Sequence, residues 1–144
     1  MRKITAAASA LVAVCAMGMT PAFAHGPDEA VAKAPPAAPY QQVSKLVKLP
    51  DFLPGMGELY VDPATLPAGP FLAYDHDGRL VSTTYMIPLK DMNADTSFDN
   101  LAAQGGNVDH VDVYFNAGHP GVAEPHEHIV LWHVSVADEA SVAK

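Results

Sequence analysis

Apolar and polar side chains alternate most clearly in the last third of the chain. Over 110–115, Val111, Val113 and Phe115 fall on one face and His110, Asp112 and Tyr114 on the other, the period-two signature of a half-buried strand. Over 126–134, His126, His128, Val130, Trp132 and Val134 share a face, opposed by Glu127, Ile129, Leu131 and His133. The middle of this second strand is apolar on both faces, which predicts an interior place in a sheet. The loop from Asn116 to Pro125 joins the two. An earlier hairpin is expected over 71–87, where "FLAYD" and "RLVSTTYMI" flank "DHDG" and Pro88 ends the second strand. "ELYV" before Asp62 and Pro63 reads as a further short strand, and "QQVSKLVK" as either a short helix or a first strand. "DTSFDNLAAQGG" predicts one short helix, capped by Thr96 or Ser97 and stopped at Gly105 and Gly106. The expected class is mainly β with one or two short helices, built as a small antiparallel sheet, sandwich or barrel.

The two ends of the chain follow a different pattern. Arg2 and Lys3, a short apolar run from Ala6 to Met17, and Ala22-Phe23-Ala24 have the three parts of a signal peptide cleaved after Ala24. Secretion or export to a periplasm is therefore expected. Residues 25–39 are rich in Pro and Ala with few large apolar side chains and read as a flexible leader. Residues 40–136 are expected to form a single β-rich domain, and 137–144 a frayed tail. No later segment is apolar for long enough to span a membrane.

Removal of the signal takes away Cys15, so the mature chain has no thiol for disulfides or thiolate metal sites. Six basic side chains then stand against sixteen acidic ones, a net charge of −10 with histidine neutral. Such a field disfavours nucleic acid and anionic membrane surfaces and favours cations. No glycine-rich phosphate loop and no G-x-S-x-G is present, and no Ser or Thr sits in a recognisable nucleophile setting. Nothing in the motifs therefore points to an enzyme.

The chemistry concentrates in "EPHEHIVLWHV", residues 124–134. Residues i and i+2 of a strand share a face, so His126 and His128 can direct two imidazoles at one point. A useful site needs a third ligand. If Phe115 lies opposite His126, the histidines meet Val111, Val113 and Phe115, a face poor in ligands. If Tyr114 lies opposite His126 and Asp112 opposite His128, then His110 and Asp112 join the pair. His119, in "GHPG", can fold back over the start of the strand. Imidazole with carboxylate and no thiolate suits a divalent transition metal such as zinc, copper or nickel. His76 is expected as solvated turn chemistry and His133 as a hydrogen-bonded core residue.

A standard cupin follows its H-x-H with Glu and then Gly; "IVLWHVSV" carries neither. A standard cupin is thereby excluded, while a cupin-like β fold remains open. The segments "PGMGELYVDP", "FLAYDHDGRLVSTTYMIP" and "EPHEHIVLWHV" resemble a group of small secreted bacterial proteins with an uncharacterised domain, over roughly residues 50–134. That group shows a PGMG turn, a YDG-type hairpin and a P-H-x-x-x-H strand, and one member is a ring-shaped homo-oligomer. This chain departs from it in having Glu58 and Leu59 after Gly57, where the group has His and an aromatic, and in placing the histidine strand last. The resemblance implies fold, secretion and possible self-association, and assigns no activity. Two functions stand open from the sequence: binding of a divalent metal by His126 and His128 with His110, Asp112 or His119, or a non-catalytic envelope module with structural histidines.

Overall fold

The structure, a computed structural model, describes residues 28–144. The expected signal peptide and the first residues of the leader lie outside the described residues. Seven strands form one antiparallel sheet: β1 (Gln41–Gln42), β2 (Phe52–Leu53), β3 (Gly57–Val61), β4 (Phe71–Tyr74), β5 (Leu80–Pro88), β6 (His110–Asn116) and β7 (His126–Trp132). A one-turn helix, α1 (Val43–Leu46), follows β1 directly, so the stretch read as helix or strand contains both in miniature. The spatial order is β1-β3-β4-β5-β7-β6, with β2 paired to β3 outside this path. The mainly β class with few short helices is thus observed, as an open sheet.

Strand alternation gives the sheet two buried faces. On one, Val61, Phe71 and Met86 pack together and are covered by Val43 of α1 and by Val122 from the loop between β6 and β7. Farther along the same face, Leu59, Ala73, Val130 and Trp132 pack with Val142. On the other face, Tyr60, Leu72, Tyr74 and Leu80 pack against Val31. Strands β4 and β5 are buried along their whole length, with Val43, Val122 and Val142 packed on one face and Val31 on the other. Strand β7 runs between β5 and β6, the interior place that its two apolar faces predict.

Three segments differ from the sequence reading, each through tertiary contacts that composition does not show. Residues 28–39, expected as a flexible leader, lie on the sheet: Val31 is buried, its carbonyl accepts from the Tyr74 hydroxyl at 2.7 Å, and Ala34 N–H donates to Gly78 O at 3.0 Å. The tail forms a 3-10 turn, Val136–Val142, in which Ser135 caps the Asp138 N–H and Val142 is buried in the core. Gly57 allows this close packing, since a β-carbon there would meet the Tyr74 backbone and the Val142 side chain.

The helix expected over 96–104 is absent. Asn100 has φ +58°, left-handed and incompatible with helix, and Ser97 Oγ donates to Asp99 Oδ2 at 2.7 Å. The segment is laid across the sheet by tertiary bonds instead: the Tyr85 hydroxyl donates to Ala102 O at 2.8 Å and the Gly105 N–H to His133 Nε2 at 3.2 Å. Gly105, read as a helix stop, is required because any β-carbon there would overlap the His133 ring.

The tail packing yields a stability prediction. Val142→Ala removes two buried methyl groups and leaves a cavity, so denaturant unfolding should show a loss of about 2 kcal/mol. A loss under about 0.5 kcal/mol, the range of surface substitutions, would mean that the tail does not belong to the core.

Candidate metal centre

The observed register of β6 and β7 pairs Tyr114 with His128, Asn116 with His126 and His110 with Trp132. The histidines therefore share a face with His110, Asp112, Tyr114 and Asn116, but His110 and Asp112 lie farther along the strand than Tyr114 and Asn116 do. These two instead form a separate group with Glu139. His110 Nδ1 meets Asp109 Oδ1 and its Nε2 meets Glu139 Oε1, each at 2.9 Å. The Asp109 hydrogen bond, followed by that of Glu139, raises the His110 pKa and favours the imidazolium, which is not a ligand form. Asp112 Oδ2 accepts from Trp132 Nε1 at 2.9 Å. The structure thus places His110 and Asp112 outside the His126–His128 site.

The third imidazole comes from the loop. His119 and Val122 bond to each other in both directions, N–H to carbonyl at 2.9 and 3.0 Å, closing a tight turn over Pro120 and Gly121. Proline in the first turn position and Gly121 at φ +92° in the second are what a type II turn requires. The turn brings His119 over the start of β7. His119, His126 and His128 then offer nitrogens that all lie within 4.8 Å of one another.

Backbone carbonyls orient two of these rings. His126 Nδ1 is 2.6 Å from Glu124 O, and His119 Nδ1 is 3.1 Å from Pro120 O. A carbonyl only accepts, so each Nδ1 carries a proton, and in the neutral ring each Nε2 then presents a lone pair. The two Nε2 atoms face one another at 3.2 Å. His126 Nε2 is also 2.9 Å from His128 Nε2, whose ring contacts the Tyr114 hydroxyl through Nδ1 at 3.1 Å. At most, a proton on His128 Nε2 satisfies one of these contacts, leaving His119 and His126 lone pair to lone pair. A cation bound by all three removes that conflict. Tetrahedral coordination at about 2.05 Å sets neighbouring nitrogens roughly 3.3 Å apart, close to the 3.2 and 2.9 Å that separate His126 Nε2 from its two neighbours.

The environment suits neutral imidazole. His126 and His128 are buried, and burial, followed by the neighbouring His126 and His119, pulls the His128 pKa down to about 4. The Glu124 side chain is turned to Lys90 Nζ at 2.6 Å, so Glu124 serves the site through its backbone. Glu127 pairs with Ile87 and Phe115 and points to the opposite face of β7. His133 is the hydrogen-bonded residue expected, with Thr83 Oγ1 at 2.8 Å and Asn107 O at 2.8 Å. His76 is not simply solvated: it stacks on Phe52 with ring centroids 3.7 Å apart. The sequence reading missed Tyr114 as a partner of the site; its place on the polar face of β6 is the only signal that marked it.

Beside His119 and His128 opens a cavity of about 340 Å³, lined mainly by apolar side chains from α1, β3, β4 and β5. No helix among the described residues is long and apolar enough to cross a membrane.

No protein-family model matches the sequence, and no curated protein matches it. Among solved structures, the crystal structure of hypothetical protein TTHB210 from Thermus thermophilus is similar, with 46% sequence identity and a TM-score of 0.58. The match covers 66% of this chain and 93% of that one. Identity at this level over nearly all of the other chain shows that the protein belongs to the same family as TTHB210.

Proposed function

We propose that the protein is a secreted or periplasmic domain that binds a divalent transition metal through Nε2 of His119, His126 and His128. The observation that carries this reading is the lone-pair conflict between His119 and His126, held in place by carbonyls on their far nitrogens. Three imidazoles and no thiolate suit zinc, copper or nickel, and leave a fourth position open. The basic start, apolar run and A-x-A sequence of residues 1–24 support export. The acidic balance of the chain favours cation uptake.

Calorimetric titration with zinc tests the ligand set. His119→Ala and His126→Ala are each expected to weaken binding on the order of a hundredfold, while His110→Ala leaves it unchanged. Loss of zinc binding in the His110 variant, or none in the other two, contradicts the assignment. The pH dependence has a definite sign. His128 resists a proton that the unfolded chain accepts at about 6.5, so its neutral form contributes stability above that pH that is lost as pH falls toward about 4. The zinc-induced rise in melting temperature should be present at pH 7.5 and gone at pH 4, and a rise undiminished at pH 4 would assign the ion to carboxylates.

A second reading, an interaction module that associates with itself, is supported by β6. This edge strand leaves one row of backbone groups unpaired within the sheet, and it exposes Val113 by 63% and Phe115 by 57%. Sedimentation of the described domain should then show an oligomer that Val113→Lys dissociates without changing zinc binding. A monomer before and after substitution removes this reading.

A further inference from the structure

The cavity next to the histidines is unusual in its polarity. Val61, Phe71 and Met86 form its floor, with Val43 and Val47 of the α1 region on one side and Val122 on the other. Gly121 holds the loop wall close to the α1 wall, for a β-carbon there would lie 3.0 Å from Val47 Cγ1. Apart from Thr84, its polar lining comes from β6, β7 and the loop between them, as Tyr114, Asn116, His119 and His128. His119 and His128 thus belong to both the cavity and the three-nitrogen cluster, while His126 is fully buried behind them. A cation held by the three Nε2 atoms would lie beside the two histidines that line the cavity. A positively charged end and a long apolar body call for a ligand with the same asymmetry.

We propose that this cavity binds a medium-length alkyl carboxylate, its chain on the Val61–Phe71–Met86 floor and its carboxylate oxygen in the fourth position of the metal. The inference rests on the metal reading above. The volume of about 340 Å³ sets the length: at roughly 30 Å³ for each non-hydrogen group it holds about eleven, a chain of eight to ten carbons with its head group. Shorter chains leave floor uncovered, and longer ones must emerge past Leu46 and Leu66, the exposed leucines of the lining. Affinity therefore grows with chain length up to a limit that the walls define. A cavity that merely tolerates grease shows no such limit and no preference for an anionic head.

The experiment is a calorimetric series of hexanoate, octanoate, decanoate and dodecanoate, each below its micellar concentration, on the metal-free and zinc-loaded protein, with decanol as the uncharged counterpart. In the zinc-loaded protein, affinity should rise about fourfold per methylene and level off near ten carbons. Removal of zinc, or exchange of decanoate for decanol, should weaken binding at least tenfold. Val43→Trp should shorten the preferred chain while zinc affinity stays the same. If that variant does not fold, Val43→Ala should lengthen the preferred chain by one or two carbons. Zinc bound normally with no chain-length dependence, or decanoate bound equally with and without zinc, overturns this inference and leaves the metal reading intact. Failure of zinc itself to bind overturns both.

Discussion

The Glu124 carbonyl lies 2.6 Å from His126 Nδ1 and can only accept a hydrogen bond, which ties that imidazole to one tautomer and one orientation. Pro120 does the same for His119 across 3.1 Å. Both restraints come from the backbone of the single loop between β6 and β7, and both turn a lone pair toward the same point. Side chains alone would let each ring turn away from its neighbour. With the far nitrogens held, three bases converge in a buried place where one proton cannot serve them all. The cluster is thereby one that could hold a metal ion.

The sheet provides the rigidity this arrangement needs. Strand β7 is clamped by β5 on one side and β6 on the other, so His126 and His128 project from backbone bonded on both edges. The loop is restrained by the His119–Val122 turn and by the approach of Gly121 to Val47. On the same face, the space between α1 and β7 is left as the apolar cavity. Histidine cluster and cavity therefore follow from one local construction. Tyr114 ties the edge strand to it through His128 Nδ1.

Much of this was legible in the sequence, for reasons that also mark where legibility stops. Period-two alternation placed β6 and β7 and put His126 with His128 on one face, since side-chain direction is a local property of a strand. The place of His119 in the connecting loop, within "GHPG", already let it fold back over the start of the strand. Register was not legible: moving Tyr114 from opposite His126 to opposite His128 keeps every side chain on its face but displaces neighbours by about 7 Å, two residues of strand rise. That displacement separates His110 and Asp112 from the site. The helix read over 96–104 failed because Ser97 bonds Asp99 and Asn100 is left-handed, while Ala102 and Gly105 answer to Tyr85 and His133 across the sheet. Val31 and Val142 show the same limit, each a lone apolar residue in a polar or Ala-rich segment whose burial depends on a distant partner.

Nitrogen NMR of the histidine rings reads directly where their protons sit. Long-range proton–nitrogen spectra at pH 7.5, recorded with and without one equivalent of zinc, distinguish the two tautomers and the ligated nitrogen of each ring. His119 and His126 should be protonated at Nδ1 in both samples, and zinc should shift the Nε2 resonances of His119, His126 and His128 while leaving those of His110 and His133 in place. Protonation of His119 and His126 at Nε2, with no ring responding to zinc, would contradict the account.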